Sequence, residues 1–267
     1  MGSTKCIRFN KCKTTKKNSY KGNISWYWSF FRMSWKYQAL EHAKKDAPHE
    51  ACGLVAVYEG KEQYFPCNNI AQDKGDQFII DPDDWIVIED KAEIIAVVHS
   101  HPNHSSTASD ADLASCEYLD LPFYIVTPET ENWSYYEPSG YKKGLIGREW
   151  VWGIQDCWTL INDWYKEKKG INLRHWDRPK SPKDFSKKPL FEHGLPLTGF
   201  VQLETTVNLE EGDVLLMDTT NTGILNHVAL YIGQQTILQH CIKKLSCRET
   251  YDQKYIQWTK KAYRYAK

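Results

Sequence analysis

Between Pro128 and Gly147 the chain loses its periodicity and gathers Pro138, Ser139, Gly140, Gly144 and Gly147. Proline cannot donate to a ladder and glycine gains little from regular structure, so such a stretch interrupts both helix and strand. A break near the middle of 267 residues leaves two packing units of ordinary domain size. The spacing predicts one unit over residues 33–130, a linker over 131–147 and a second unit over 148–267. Residues 1–32 stand apart, with eight Lys or Arg, no Asp or Glu, and the aromatic burst Trp26, Tyr27, Trp28, Phe30, Phe31. They read either as a basic interaction tail or as sequence upstream of a start at Met33. They show no clear apolar stretch of the roughly 7–15 residues that a secretory signal needs.

Over the whole chain 34 Lys and Arg balance 34 Asp and Glu, which leaves no bulk charge to hold nucleic acid. No run of about 18 apolar residues exists, so no membrane span is expected. The 41 % apolar share, with 11 Trp and 16 Tyr, suffices for packed cores. Eight cysteines form no CxxC pair, which argues against a disulfide scaffold or a zinc-finger spacing and for free thiols in a reducing cytosol.

The first unit opens with an amphipathic run, Trp35 to Ala47, carrying Ala39, Leu40 and Ala43 at helical offsets. Short β-rich runs follow at Leu54–Tyr58, Gln63–Pro66, Gln77–Ile80, Ile94–Val98 and Phe123–Thr127. Asp81-Pro82-Asp83-Asp84 starts a helix through Lys91, because carboxylates favour the positive end of the helix dipole. The pattern is α/β. The second unit has a helix over 156–169, a polar loop, and strands at Asp213–Met217, His227–Ile232, Gln235–Gln239 and Ala262–Tyr265, with a hairpin turn over 231–235. One helix followed by an antiparallel sheet is α+β.

At the end of the Ile94–Val98 run stand His99-Ser100-His101-Pro102, then Ser109 and Asp112. Strand side chains two apart share a face, so both imidazoles can reach one ion, and Asp112 can join from a following helix. Three N and O ligands leave a tetrahedral position open for water, the arrangement of a catalytic zinc. Such a site needs a proton shuttle, and Glu50 lies upstream in Pro48-His49-Glu50-Ala51-Cys52-Gly53-Leu54. This set resembles the JAMM, or MPN-type, metallopeptidase motif at every signature position. The resemblance implies that Glu50 activates water, that His99, His101 and Asp112 hold Zn2+, and that Ser109 steadies the tetrahedral intermediate. His104 falls outside the pattern.

Asp156-Cys157-Trp158-Thr159-Leu160 places a cysteine at the first turn of a helix, where free amides and the dipole favour thiolate. A base is then required, and His227 opens the apolar run His227-Val228-Ala229-Leu230-Tyr231-Ile232-Gly233. A third group should orient the imidazole, and Gln239 and His240 both qualify. The DCxxL and HVALYIG stretches are similar to NlpC-type cell-wall cysteine peptidases, which implies a papain-like α+β fold. That resemblance puts the third residue twelve positions after His227, at Gln239. Trp158-Thr159 stand where many bacterial members carry Ser-Gly, and bulk there would reshape the cleft.

An α/β JAMM/MPN-type domain followed by an α+β papain-like NlpC-type domain resembles the tail-tip assembly family of lambda-like phages, from Met33 onward. The resemblance implies a hydrolase with two peptidase centres, the cysteine one cutting peptidoglycan stem peptides during tail assembly or cell entry. It implies other tail-tip proteins as partners and a place at the virion tail tip, or in the host cytoplasm during assembly, with action at the host cell wall. Two alternatives stay open, an isopeptidase processing ubiquitin-like or sulfur-carrier proteins and a non-catalytic tail assembly factor.

Overall fold

A computed structural model of the protein describes residues 34–174, 176, 178–180, 182–185 and 189–266. The extension expected over residues 1–32, together with Met33, lies outside the described residues.

In the first unit Ser34 caps helix α1 (Trp35–Asp46), and Ala39, Leu40 and Ala43 form its buried stripe, as the offsets predict. Strands β1 (Cys52–Tyr58) and β2 (Lys61–Cys67) make a hairpin, and β3 (Glu93–Ser100) pairs antiparallel with β1 on its other side. Helix α2 (Pro82–Glu89) precedes β3 and is capped by the Asp81 carboxylate. Helix α3 (Asp110–Leu119) then carries the chain to β4 (Phe123–Thr127), which runs parallel to β3. A parallel pair needs such a crossover, since a tight turn can join only antiparallel strands. With β5 (Asn132–Tyr136) the sheet order is β2-β1-β3-β4-β5. Leu54, Val97 and Phe123 pack on one face with Trp85 and Ile88 of α2 and Cys116 of α3. Val55, Ala96 and Val98 pack on the other with Ala39 of α1. Helices on both faces of the sheet make this unit α/β.

Two expectations are corrected here. Gln77–Ile80 is not a strand but an extended stretch with a single bridge from Ile80 to Asn69, its backbone tied instead to the Asn69 amide. The linker expected over 131–147 begins later, because Asn132–Tyr136 is the edge strand β5, paired residue by residue with β4. Its Trp133 and Ser134 are only half-buried, so the stretch lacks the alternation that marks a strand.

Gly53 lies in β1, where an added Cβ would meet the Phe65 carbonyl oxygen and the Tyr64 hydroxyl, both at 2.5 Å. Gly53→Ala is therefore expected to destabilise the protein by about 1–3 kcal/mol, read as a lowered thermal midpoint, because a strand backbone cannot move aside.

The second unit begins with α4 (Cys157–Lys169), whose Asp156 cap closes a capping box with Thr159 and whose end is set by Gly170 at φ 69°. After α5 (Pro182–Phe185) and α6 (Leu190–Leu197) come β6 (Phe200–Gln202), β7 (Val214–Met217), β8 (His227–Tyr231), β9 (Thr236–Gln239), β10 (Cys247–Thr250), α7 (Gln253–Trp258) and β11 (Thr259–Tyr265). The sheet order is β10-β9-β8-β7-β11-β6, every neighbour antiparallel. Helix α4 lays Trp158, Leu160, Ile161 and Trp164 on Val214, Leu216, Val228 and Leu230 of the sheet, and this contact is the core of an α+β unit. The polar loop expected before the sheet contains α6, where Gly194 and Pro196 mask a helix that buries Phe191 and Leu195. Tertiary packing outweighs local propensity there.

Two candidate active centres

Antiparallel register pairs Cys52 with His99. The pairing continues past the start of β1, where the Ser100 amide donates to the Ala51 carbonyl. The next same-face pair outward is Glu50 with His101, so the register alone brings Glu50 to the imidazoles. Asp112 arrives from the first turn of α3, the crossover that the parallel β3–β4 pair requires. Its Oδ1 lies 3.1 Å from His99 Nε2 and its Oδ2 3.4 Å from His101 Nε2.

The three groups converge tightly. His99 Nε2 and His101 Nε2 are 3.0 Å apart. Two neutral imidazoles cannot aim lone pairs at each other at that distance unless a proton or a cation sits between them. One ligand atom from each of His99, His101 and Asp112 falls within 4.8 Å of the others. Phe78 stacks on the His99 ring at 4.4 Å, and the His101 Nδ1 faces the Ser105 carbonyl at 2.8 Å, which leaves its Nε2 to the cluster. A donor set of two imidazole nitrogens and one carboxylate, so fixed by its neighbours, fits zinc.

Asp112 has a second task. Ser109 is the N-cap of α3, and its backbone amide and hydroxyl both donate to Asp112 Oδ2 at 2.8 Å. Burial works against the Asp112 charge, yet the field of His99 and the bonds from both imidazoles and Ser109 carry its carboxyl well below the usual range. Glu50 sits at the opposite extreme. Burial pushes it up to about 8, His101 opposes the rise, and Asp112 adds to it. Two carboxyls of one cavity thus differ widely in proton affinity, the usual mark of a proton carrier beside a permanent anion. Glu50, His101, His104, Ser109 and Asp112 line this cavity of about 800 Å³, although His104 takes no place in the ligand cluster.

In the second unit Asp156 is fully buried. It accepts from the Gly153, Trp158 and Thr159 amides and pairs with the Arg178 guanidinium, which lies over the Trp152 ring. These contacts fix the turn that presents Cys157. The Cys157 sulfur interacts with the Val228 backbone, one residue after His227, and both Cys157 and His227 line a cavity of about 890 Å³. Trp158 is buried against Trp176 at a centroid separation of 4.7 Å. His227 Nε2 meets Gln239 Oε1 at 3.1 Å. His240 is buried and lines the same cavity but makes no bond to His227, both its ring nitrogens lacking a side-chain partner; burial lowers it to about 4. Cys157 and His227 thus line one cavity, and of the two candidate third residues Gln239, not His240, bonds the His227 ring.

The thiolate expected from the helix N-terminus is corrected. Burial pushes the Cys157 thiol up to about 12, against the smaller opposing effect of backbone amides, and burial lowers His227 to about 4. Burial thus favours the uncharged form of both groups, a thiol and a neutral imidazole. The thiol gains reactivity only as rising pH removes its proton. Alkylation of Cys157 by iodoacetamide, followed by mass spectrometry of its peptide, should climb about tenfold per pH unit from 7 to 9. A rate already level below pH 7 would mean a resting thiolate.

One neighbour escaped the sequence reading. The β8–β9 register pairs Leu230 with Leu238. Continued outward it sets Cys241 opposite His227, and the Cys241 sulfur lies 3.8 Å from His227 Nε2 and 3.4 Å from Gln239 Oε1. Counting outward from the hairpin turn at Gly233 would have found it. The six cysteines among the described residues are free thiols. Trp150 and Trp152, at the entry to the second unit, line both the metal-side and the cysteine-side cavity.

Residues 34–137 match the family described as prokaryotic homologs of the JAB domain, and residues 147–264 match the NlpC/P60 family. The tail tip assembly protein K of Escherichia phage N15 is 29 % identical over 232 residues, covering 85 % of this chain and 92 % of that protein. Its counterpart from Escherichia phage lambda is 32 % identical over 186 residues, covering 69 % and 88 %. The CysO-cysteine peptidase of Mycobacterium tuberculosis is 28 % identical over 99 residues, covering 33 % of this chain and 65 % of that protein.

Proposed function

Because the chain belongs to the family of the phage tail tip assembly protein K, with a JAB domain followed by an NlpC/P60 domain, we propose that it carries two working peptidase centres and that the cysteine centre cleaves peptidoglycan stem peptides. The observation that carries this reading is that Cys157 and His227 line one cleft, with the His227 imidazole held by Gln239 at 3.1 Å.

At this centre His227 takes the thiol proton as the sulfur attacks the peptide carbonyl, and returns it to the leaving amine. Gln239 orients the ring, and the fixed turn at Asp156 holds the sulfur at the helix start. Acting from a neutral pair costs less charge separation in a buried site than holding an ion pair at rest.

At the other centre His99, His101 and Asp112 would hold zinc, which supplies an activated water and a Lewis acid for a carbonyl. Glu50, which burial pushes up to about 8, accepts and returns a proton at its carboxyl oxygen. Ser109 lines the cavity, and its hydroxyl can steady a developing oxyanion if its single proton turns there from Asp112. Its substrate is a wall peptide or a tail protein processed during assembly. The protein then acts among other tail-tip proteins, in the host cytoplasm or at the virion tail tip, and against the host cell wall.

The test is digestion of defined muropeptides by the purified protein. Release of stem-peptide fragments is expected, and intact muropeptides after overnight incubation would overturn the reading. A second reading draws on the similarity to a CysO-cysteine peptidase: the JAB centre would cut isopeptide or carrier-tail bonds of ubiquitin-like or sulfur-carrier proteins. That activity would vanish in Glu50→Ala and persist in Cys157→Ala. A purely structural tail factor would instead yield infectious particles from the double variant.

A further inference from the structure

Gln239 has an amide with two unlike ends, and its neighbours allow only one orientation. The amide nitrogen donates to the Glu249 carboxylate and to the Tyr255 hydroxyl, the latter at 2.8 Å. Tyr255 in turn donates its own proton to Glu249. The opposite end, Oε1, faces His227 Nε2 at 3.1 Å and the Cys241 thiol at 3.4 Å. A carboxylate can only accept, so the end of the amide next to Glu249 must be the NH2. Oε1 is thereby committed to His227 and can only accept there. The ring must carry its proton on Nε2, which leaves the Nδ1 lone pair free.

Three elements build this arrangement. The β9–β10 register places Gln239 opposite Cys247, with Glu249 two residues further along the same face of the sheet. Tyr255 comes from α7, whose start is fixed by the Asp252 cap, and its ring is 5 % exposed. With the amide reversed, its oxygen would face a carboxylate and its NH2 would need an acceptor at His227 Nε2. The proton would then move to Nδ1, and the ring would lose the basic nitrogen that a thiol requires.

We propose that Glu249 and Tyr255 are positioning residues that lock the Gln239 amide and, through it, the tautomer of His227. The catalytic part rests on the peptidase reading above, while the tautomer itself does not. Because burial keeps His227 neutral at pH 7, the ring tautomer can be read directly there.

The experiment is 15N–1H spectroscopy of the histidine rings in the full chain at pH 7, with muropeptide kinetics alongside. The wild type should show His227 protonated at Nε2 and bare at Nδ1. Glu249→Gln replaces an obligate acceptor by a group that tolerates either amide orientation. A population protonated at Nδ1 should appear, and kcat should fall by at least about tenfold with KM nearly unchanged. Glu249→Asp keeps an acceptor and should restore the Nε2 form. Tyr255→Phe should shift the tautomer in the same direction by less. An Nδ1-protonated wild type, or unaltered ring signals in both Glu249→Gln and Tyr255→Phe, overturns the proposal. If the wild type cuts no muropeptide, the peptidase reading fails, and the ring spectra still decide this one.

Discussion

Cys157→Ala is expected to remove all measurable release of stem peptides from peptidoglycan while leaving bound zinc at its wild-type level. Loss of a nucleophile that acts with a base removes their joint contribution, on the order of 10⁴-fold or more. The fold should survive the change. The turn that presents residue 157 is held by Asp156 through backbone amides and Arg178, not by the thiol. Chromatographic quantification of released peptides, with a melting curve on the same preparation, checks both halves of the expectation. Activity within tenfold of wild type would remove Cys157 from the chemistry. Cys241, which also lies near His227, would then be the thiol to test.

The second large effect is expected at Asp112, because one carboxylate serves two structures. Its Oδ1 faces His99, while its Oδ2 faces His101 and also accepts the two bonds from Ser109 that cap α3. Asp112→Ala should weaken zinc binding by more than the roughly 10–100-fold that follows loss of an outer-shell partner, since here a ligand itself is lost. It should also cost about 1 kcal/mol of stability through the cap. Ser109→Ala separates the two contributions. It removes one side of the capping box and a donor to Asp112, yet leaves all three ligands, so affinity should fall by no more than that outer-shell range. Competition with a chromophoric chelator reads the first quantity and thermal unfolding the second. Equal zinc affinity in Asp112→Ala and wild type would remove Asp112 from the ligand set.

The parts of the fold that could be read beforehand carry a local apolar pattern, a helical period or an unbroken run. Ala39, Leu40 and Ala43 mark α1, and the apolar run ending at His99 marks β3. The edge strand β5 and the helix α6 could not be read so. The first is half-exposed, and the second contains a glycine and a proline that favour a loop until Phe191 and Leu195 find the core. The candidate site divides along the same line. Ligands two apart on a strand, and a cysteine after a capping aspartate, are local patterns. The rise of Glu50 and of the Cys157 thiol, and the network from Glu249 to His227, depend on burial and on strand register between distant segments. Helix position argued for a charged sulfur, and desolvation outweighed it.

Trp150 and Trp152 form a wall common to both cavities. A substitution at either indole changes the shape of two cavities in one event, so neither can be remodelled there without the other changing. Variants at Trp150 or Trp152 that widen one cleft should therefore alter the other as well.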